Sequence, residues 1–260
     1  MQGIYKAAQG MIYETMRIDI IANNLANVNA NGYKGSALQV TSTFDAELTQ
    51  VLEEKMNIKP PSNVSQSSEL LVARYNIDFQ QGPLKETNEV YDVAIAGRGF
   101  FGIQNVDGST VFTRDGSFTT NDQGQLVNGQ GLFVLDQSGQ PVQIPSGASE
   151  LTISTDGRMF ADDVGFSQLM LIDFEQNDPY PLGKIGGNLF EITDSQAQPI
   201  SLNATRGVSI VKQGFLELAN VNVVHEMVNM IQTLRNFQGY QKIIQALDET
   251  VQLINNVAKQ

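Results

Sequence analysis

The C-terminal stretch of the chain carries the pattern that most constrains its fold. Its apolar residues recur three and four positions apart, which places them on one face of a long helix. They are Val224, Met227, Ile231, Leu234, Phe237, Tyr240, Ile244, Leu247, Val251, Ile254 and Ala258. An extra step of three between Leu234 and Tyr240 is a stammer, which locally overwinds a coiled-coil seam. A helix with this face needs a partner that covers it.

The opposite face of this stretch is rich in amides and poor in charges. It carries Asn222, Asn229, Gln232, Asn236, Gln238, Gln241, Gln245, Gln252, Asn255 and Asn256. A helix that faces only water normally carries paired Glu and Lys. In a symmetric assembly like charges would repel, whereas amides both donate and accept hydrogen bonds. The pattern therefore indicates a helix surrounded by copies of itself, with a merely solvated amide face as the alternative.

A second amphipathic helix is predicted at the N-terminus. Its apolar stripe alternates steps of four and three through Ile4, Ala8, Met11, Thr15, Ile18, Ala22 and Leu25. The helix spans roughly 25 residues, or about 38 Å, and Asn27 to Gly32 marks its end. Both helices contain many helix-neutral residues, so each is expected to be marginal alone. We hypothesise that the termini fold as the chain assembles.

The whole-chain composition excludes several classes of protein. Charged residues are only 17 % and the net charge is -12, so the clustered Lys and Arg of a nucleic-acid-binding surface are missing. Cysteine is absent, which rules out a disulfide framework and thiolate metal sites. The first helix is too polar for the apolar region of a signal peptide or for a transmembrane span, so we expect neither cleavage of such a peptide nor membrane insertion.

The central part of the chain has the period of β-strands. Alternating apolar residues, with Gly beside Asp or Asn in recurring turns, predict an all-β unit of short strands. The predicted fold class is mixed α and β, mainly β, with terminal helices forming a coiled-coil-like α domain around a central all-β domain. The expected divisions are 1–35 for the first helix and its end motif, 36–75 for an extended linker with a possible short helix at 44–56, 76–214 for the β domain, and 215–260 for the last helix.

No group of residues predicts an active site. Gly97, Gly99 and Gly102 match G-x-G-x-x-G, but the segment that follows continues as a strand instead of opening a helix. The single histidine, His225, is expected at a surface or interface because a catalytic histidine needs a nucleophile and an orienting carboxylate. Asp156 and Asp162-Asp163 fit turns better than calcium ligands. We therefore expect no enzyme, no cofactor, no metal and no small-molecule substrate.

Three stretches carry a further signal: the N-terminal run Ile21 to Lys34, the C-terminal run Gly214 to Arg235, and Asn88 to Asp136. The first two resemble the terminal motifs, and the third the β domain, of one known family, the bacterial flagellar axial proteins that form rod and hook. The motif residues are Asn23, Asn24, Leu25, Ala26, Asn27, Gly32, Tyr33, Asn220, Val221, Asn222, Met227 and Val228. His225 replaces a usual acidic residue, and 236–240 also departs from the family pattern.

The resemblance implies a structural subunit of the flagellar basal-body rod. Such a subunit is exported by the flagellar type III apparatus into the periplasmic space and polymerises with its own copies and other axial proteins into a helical tube that transmits torque. We expect the proximal rod position, with the distal position as the alternative. A secreted adhesin or binding module that oligomerises through its helices is the alternative from another class. The predicted self-assembly surface consists of Ile4, Met11, Ile18, Ala22, Leu25, Val224, Met227, Ile231, Leu234, Phe237, Ile244, Leu247, Val251 and Ile254.

Overall fold

The computed structural model describes residues 2–41, 72–148, 150–174, 180–194, 197–202 and 209–257, with side chains described for 7–39 and 75–250 within those ranges. The predicted fold class is confirmed, because two long helices lie before and after a run of short antiparallel strands. The predicted helix at 44–56 lies outside the described residues. The chain forms two compact units: a helical unit of Met1–Leu25, Ser36–Asn76 and Val224–Gln260, and a β unit of Ala26–Gly35 and Ile77–Val223.

Helix α1 spans Gln2–Ala26 and helix α2 spans Val223–Val257. Helix α2 begins at Val223, not at residue 215 as the sequence predicts, because Phe215–Glu217 forms a strand that pairs with Leu84–Glu86. Asn222 precedes the helix, and Asn is a preferred residue at that capping position. Glu226 lies in the first turn, where a carboxylate complements the helix dipole.

The strands are short and pair in antiparallel fashion. They are β1 Ser36–Thr41, β2 Val72–Ile77, β3 Leu84–Glu86, β4 Val93–Gly97, β5 Phe100–Gln104, β6 Thr110–Thr113, β7 Phe118–Thr120, β8 Leu126–Asn128, β9 Phe133–Val134, β10 Leu151–Ile153, β11 Arg158–Ala161, β12 Val164–Gln168, β13 Leu171–Asp173, β14 Leu182–Gly186, β15 Leu189–Ile192, β16 Ile200–Ser201, β17 Ser209–Gln213 and β18 Phe215–Glu217.

A nine-stranded sheet forms the centre of the β unit. Its main path runs β14-β15-β6-β5-β9-β8-β7, and β13 pairs with both β5 and β16. The smaller sheets of the β unit are β10-β11-β12, β17-β4 and β18-β3. Strands β1 and β2 form a separate two-stranded sheet. Strand β5 is buried on both faces: Phe101 and Ile103 belong to one apolar cluster and Phe100 to the other. This arrangement explains its almost continuous apolar sequence.

Five hairpin loops share one local geometry, which their sequences predict. They span 105–109, 121–125, 128–132, 136–140 and 154–158, and each begins with Asn, Asp or Ser. In each loop the fourth residue is a glycine that donates its N–H to the carbonyl of the first residue. These glycines have φ between 75° and 85°, a left-handed conformation that glycine adopts without a steric penalty.

Candidate functional site

A buried ionic network joins the two terminal motifs inside the β unit. Lys34 Nζ lies 2.6 Å from Glu217 Oε1, and Arg114 Nη1 lies 3.1 Å from Glu217 Oε2. Burial lowers the pKa of Lys34, and the neighbouring Glu217 carboxylate partly opposes that shift. Burial likewise lowers the pKa of Arg114. Glu217 is the common counter-ion of both cations, so removal of its charge would leave two buried cations without that partner, which is costly.

Backbone groups complete this network. Lys34 Nζ donates to the carbonyl of Gln80 at 2.7 Å, and Arg114 Nη2 donates to the carbonyl of Gly97 at 2.7 Å. The N–H of Gly82 donates to Glu217 Oε1 at 2.9 Å. Each charged side chain therefore bonds the backbone as well as its ionic partner, which is how charges become tolerable in a protein interior.

Gly32 brings the N-terminal segment against the β unit at a very short distance. Its N–H donates to the backbone carbonyl of Glu217 at 2.6 Å. Its φ is 65°, and a Cβ at this position would lie 2.3 Å from the backbone nitrogen of Asp115. Both the conformation and the close approach require glycine.

The side-chain amide of Asn220 also links the N-terminal segment to the β unit. Its Oδ1 accepts the N–H of Gly35 at 2.7 Å, and its Nδ2 donates to the carbonyl of Asp78 at 2.8 Å. The backbone N–H of Asn220 donates to the carbonyl of Tyr33 at 3.3 Å. We call the set Gly32, Lys34, Gly35, Arg114, Glu217 and Asn220 the terminal junction.

Two residues of the β14–β15 hairpin contact the N-terminal segment. Lys184 Nζ lies 4.2 Å from the centroid of the Tyr33 ring and donates to the carbonyl of Lys34. Burial lowers the pKa of Lys184 to about 8. Asn188 Nδ2 donates to the carbonyl of Asn31 at 2.9 Å. A cation over an aromatic face is attractive, so this hairpin also holds the segment in place.

In the helical unit, α1 and α2 pair antiparallel within one chain. Asn236 Nδ2 donates to Glu14 Oε1 at 3.1 Å, and Asn24 Nδ2 donates to Glu226 Oε1 at 3.0 Å. A step of ten residues forward along α1 thus matches a step of ten residues back along α2. Farther along the pair, the ring of Tyr240 packs on Gly10, where a Cβ would lie 2.6 Å from ring atom Cζ.

The apolar stripe of α2 divides at the predicted stammer. Val224, Met227, Ile231 and Leu234 are exposed, as is the motif residue Val228, whereas Phe237, Tyr240, Ile244 and Leu247 are partly buried. The first half of the stripe therefore lies open in the single chain.

The predicted stripe of α1 is not the line that the helix buries. The most buried positions are Ala7, Gly10, Glu14, Ile20, Ile21 and Asn24, and all of them except Ile20 lie one residue before a stripe position. Of the stripe, Met11, Ile18 and Leu25 are partly buried, while Ala22 is exposed. The side chains of Ile4, Val251 and Ile254 lie outside the described residues.

The motif residues divide between the two units. Gly32, Tyr33 and Asn220 lie at or beside the terminal junction, while Asn24 bonds Glu226 and both backbone groups of Ser36. Asn23, Ala26, Asn222, Met227 and Val228 are exposed, and Leu25, Asn27 and Val221 are partly buried. The sequence prediction did not include Lys34, Arg114 or Glu217 among the site residues. All three lie within stretches that resemble the family, and this resemblance was the one feature of the sequence that could have pointed to them.

The other candidate sites have structural explanations. Gly97 ends β4, and β5 follows Gly99 directly, so the glycine-rich run connects two strands and no helix opens there. His225 is exposed on the first turn of α2. Among the described residues, no group of three His, Asp or Glu side chains is placed to hold a metal ion. Neither helix has, over its described length, an apolar run sufficient to cross a bilayer.

Fold and motifs together define a structural axial protein with helical ends and a β body. Comparisons with known families agree along the chain: "Flagella basal body rod protein" matches residues 4–34, "Flagellar hook protein FlgE/F/G D1 domain" matches 94–161, and "Flagellar basal body rod FlgEFG protein C-terminal" matches 212–257.

Whole-length relatives give the same family. The chain is 32 % identical to the flagellar basal-body rod protein FlgG of Buchnera aphidicola subsp. Baizongia pistaciae, over 97 % of this chain and 98 % of that protein. It is 32 % identical to FlgG of Borreliella burgdorferi over all of both chains. It is 33 % identical to FlgF of Caulobacter vibrioides, over 91 % of this chain and 88 % of the relative. The chain belongs to the flagellar basal-body rod protein family, which is structural and not enzymatic.

Proposed function

We propose that this chain polymerises with its own copies, and with other axial proteins, into the tube of the flagellar rod, which transmits torque. The observation that carries the proposal is the exposed half-stripe of α2, formed by Val224, Met227, Val228, Ile231 and Leu234. A contiguous apolar face at helical spacing marks a protein interaction surface.

The chemistry of this half-stripe suits contact with another copy of the chain. Burying a Leu-sized or Ile-sized side chain stabilises an interface by about 1.5–3 kcal/mol, so several such residues together give a strong driving force. Neighbouring positions of α2 are amides, such as Gln232 and Gln238, which are exposed. Amides can meet their own copies without repulsion, because they donate and accept hydrogen bonds.

The predicted stripe of α1 is the surface we assign to the other side of this contact. Helix α1 buries an adjacent line of residues, so the stripe keeps accessible surface: Ala22 is exposed, and Met11, Ile18 and Leu25 are only partly buried. In a helical polymer each subunit presents one surface to the preceding copy and a different surface to the next. The two stripes fulfil that requirement.

Within the rod we propose the distal position, which we associate with subunits of the FlgG type. The proposal is supported by relatives named FlgG that match essentially the whole chain. The proximal position, expected from the sequence, is the second candidate, supported by the FlgF relative of similar identity. Export through the flagellar type III apparatus, without a cleaved signal peptide, and location in the periplasmic rod belong to the same proposal.

The test is deletion of the gene for this chain in its own bacterium, followed by electron microscopy of purified basal bodies. A distal subunit leaves a short rod stub without a hook, whereas a proximal subunit leaves a shorter stub or none. Wild-type chain and Val106→Asp should restore complete hooks, and Ile231→Asp should not. Complete hook–basal bodies in the deletion strain would overturn the proposal.

A further inference from the structure

We propose that Glu217 holds both terminal segments, 26–35 and 214–223, on the β unit in the free chain, so that these segments are folded before any assembly. Apart from the terminal positions Ala26 and Val223, these residues lie outside α1 and α2, and the inference does not depend on the function proposed above.

The contacts of Glu217 come from three separate parts of the sequence. Its carboxylate binds Lys34, Arg114 and the N–H of Gly82, and its backbone carbonyl accepts the N–H of Gly32. The side chain of Glu217 is fully buried, and that of Lys34 is 1 % exposed. A single acidic side chain thus connects the N-terminal segment to the strands of the β unit.

These contacts make release of one segment alone unfavourable. If residues 31–35 left the β unit, Glu217 would keep Arg114 as its counter-ion but would lose the charge-assisted hydrogen bond from Lys34. The backbone carbonyl of Glu217 and Oδ1 of Asn220 would also lose the N–H groups of Gly32 and Gly35. Since a buried acceptor that loses its donor costs free energy, the segment is expected to open only when the surrounding sheet also opens. Such linked groups exchange their amide hydrogens as one cooperative unit.

The partners named for Glu217 and Asn220 all lie in the β unit. None of them belongs to α1 or α2, so order at the junction does not require the helices to be formed. If the terminal helices order only upon polymerisation, a condition that does rest on the proposed function, that change is confined to residues before 26 and after 223.

The test is amide hydrogen exchange, measured by NMR on the dilute full-length chain. The reporters are the N–H groups of Gly32, Gly35 and Gly82, and the reference is Gly102 and Leu135 of the central sheet, which donate to Met170 and Gly102. We expect the junction amides to be protected within about tenfold of the reference amides. Exchange of Gly32 and Gly35 more than about a hundredfold faster than the reference would overturn the inference.

The variant Glu217→Gln keeps the shape of the side chain and removes its charge. We expect protection at Gly32 and Gly35 to fall by more than about tenfold, while Gly102 and Leu135 change by less than about threefold. Glu86→Gln is the matched control, because Glu86 is exposed on the strand that pairs with β18, and it should change none of these amides. Unchanged protection at Gly32 and Gly35 in Glu217→Gln would contradict the assigned role.

A second variant covers the case in which Glu217→Gln does not fold. Lys34→Met removes only the N-terminal cation and leaves the pair of Arg114 and Glu217. Protection should fall more at Gly32 and Gly35 than at Gly82, whose N–H still has Glu217 Oε1 as its acceptor. Loss of protection at Gly82 to the same degree as at Gly32 would show that the segment is not held locally, and would overturn the inference.

Discussion

The amine of Lys34 lies 2.6 Å from the carboxylate of Glu217, although 183 positions of the sequence separate the two residues. Lys34 follows the turn at the end of α1, and Glu217 closes the last strand before α2. Lys34 and Glu217 lie near the two ends of the sequence of the β unit. Their contact therefore holds these two ends beside each other inside the unit.

We predict that Lys34→Met destabilises the β unit. The substitution removes a charge-assisted hydrogen bond to a buried carboxylate that keeps Arg114 as its counter-ion, a loss of about 1.5–3 kcal/mol. Urea denaturation followed by tyrosine fluorescence measures the free energy of unfolding. Lys85→Met is the control, since Lys85 is exposed on β3, and a surface change of this kind should fall within about 0.5 kcal/mol. Equal stability of the two variants would refute the prediction.

Gly32→Ala should destabilise more than Gly108→Ala. Both glycines have positive φ, which costs an L-residue roughly 1–2 kcal/mol. A Cβ at Gly108 would have no atom within 4 Å, whereas one at Gly32 would lie 2.3 Å from the backbone of Asp115. The difference between the midpoints of thermal unfolding of the two variants measures how much the steric contact with Asp115 destabilises the fold. Equal midpoints would mean that the N-terminal segment does not pack on Asp115.

We predict that Lys184 titrates near pH 8. Its folded-state pKa is about 8, below the ordinary 10.5, because burial disfavours the charged amine. Between these values the unfolded state binds more protons than the folded state, so the contribution of Lys184 to stability rises with pH. The carbon chemical shift of its Cε, assigned with Lys184→Met, gives the midpoint directly. A midpoint near 10.5 would show that the amine is solvated and does not lie over Tyr33.

The helices and hairpins of this fold were predictable from the sequence because their causes are local. Apolar spacing of three and four gives both helices, and the Asn or Asp followed three residues later by Gly gives the loops at 121–124 and 128–131. The start of α2 was placed too early, since Phe215 and Leu216 fit both a helical stripe and a short strand. Only pairing with β3, which is distant in sequence, decides in favour of the strand.

The terminal junction was not predictable in this way. Lys34, Arg114 and Glu217 are charged residues, and charged residues are rarely fully buried unless they are paired. Their pairing joins three distant stretches, which no local pattern reveals. The buried line of α1 was missed for a related reason: Gly10, Glu14 and Asn24 are small or polar, so a search for apolar spacing passes over the positions that the intrachain pair uses.

The assembly surface on α2 is tested by polymerisation of purified Ile231→Asp, followed by sedimentation and electron microscopy beside wild-type chain. Ile231 is 54 % exposed in the single chain, so a charge there should leave the β unit folded and abolish tubes. Val106→Asp is the matched control, because Val106 is an apolar residue, 91 % exposed, on the β5–β6 hairpin, and it should polymerise like wild type. Normal tubes from Ile231→Asp would contradict the assignment of the half-stripe of α2 as the assembly surface.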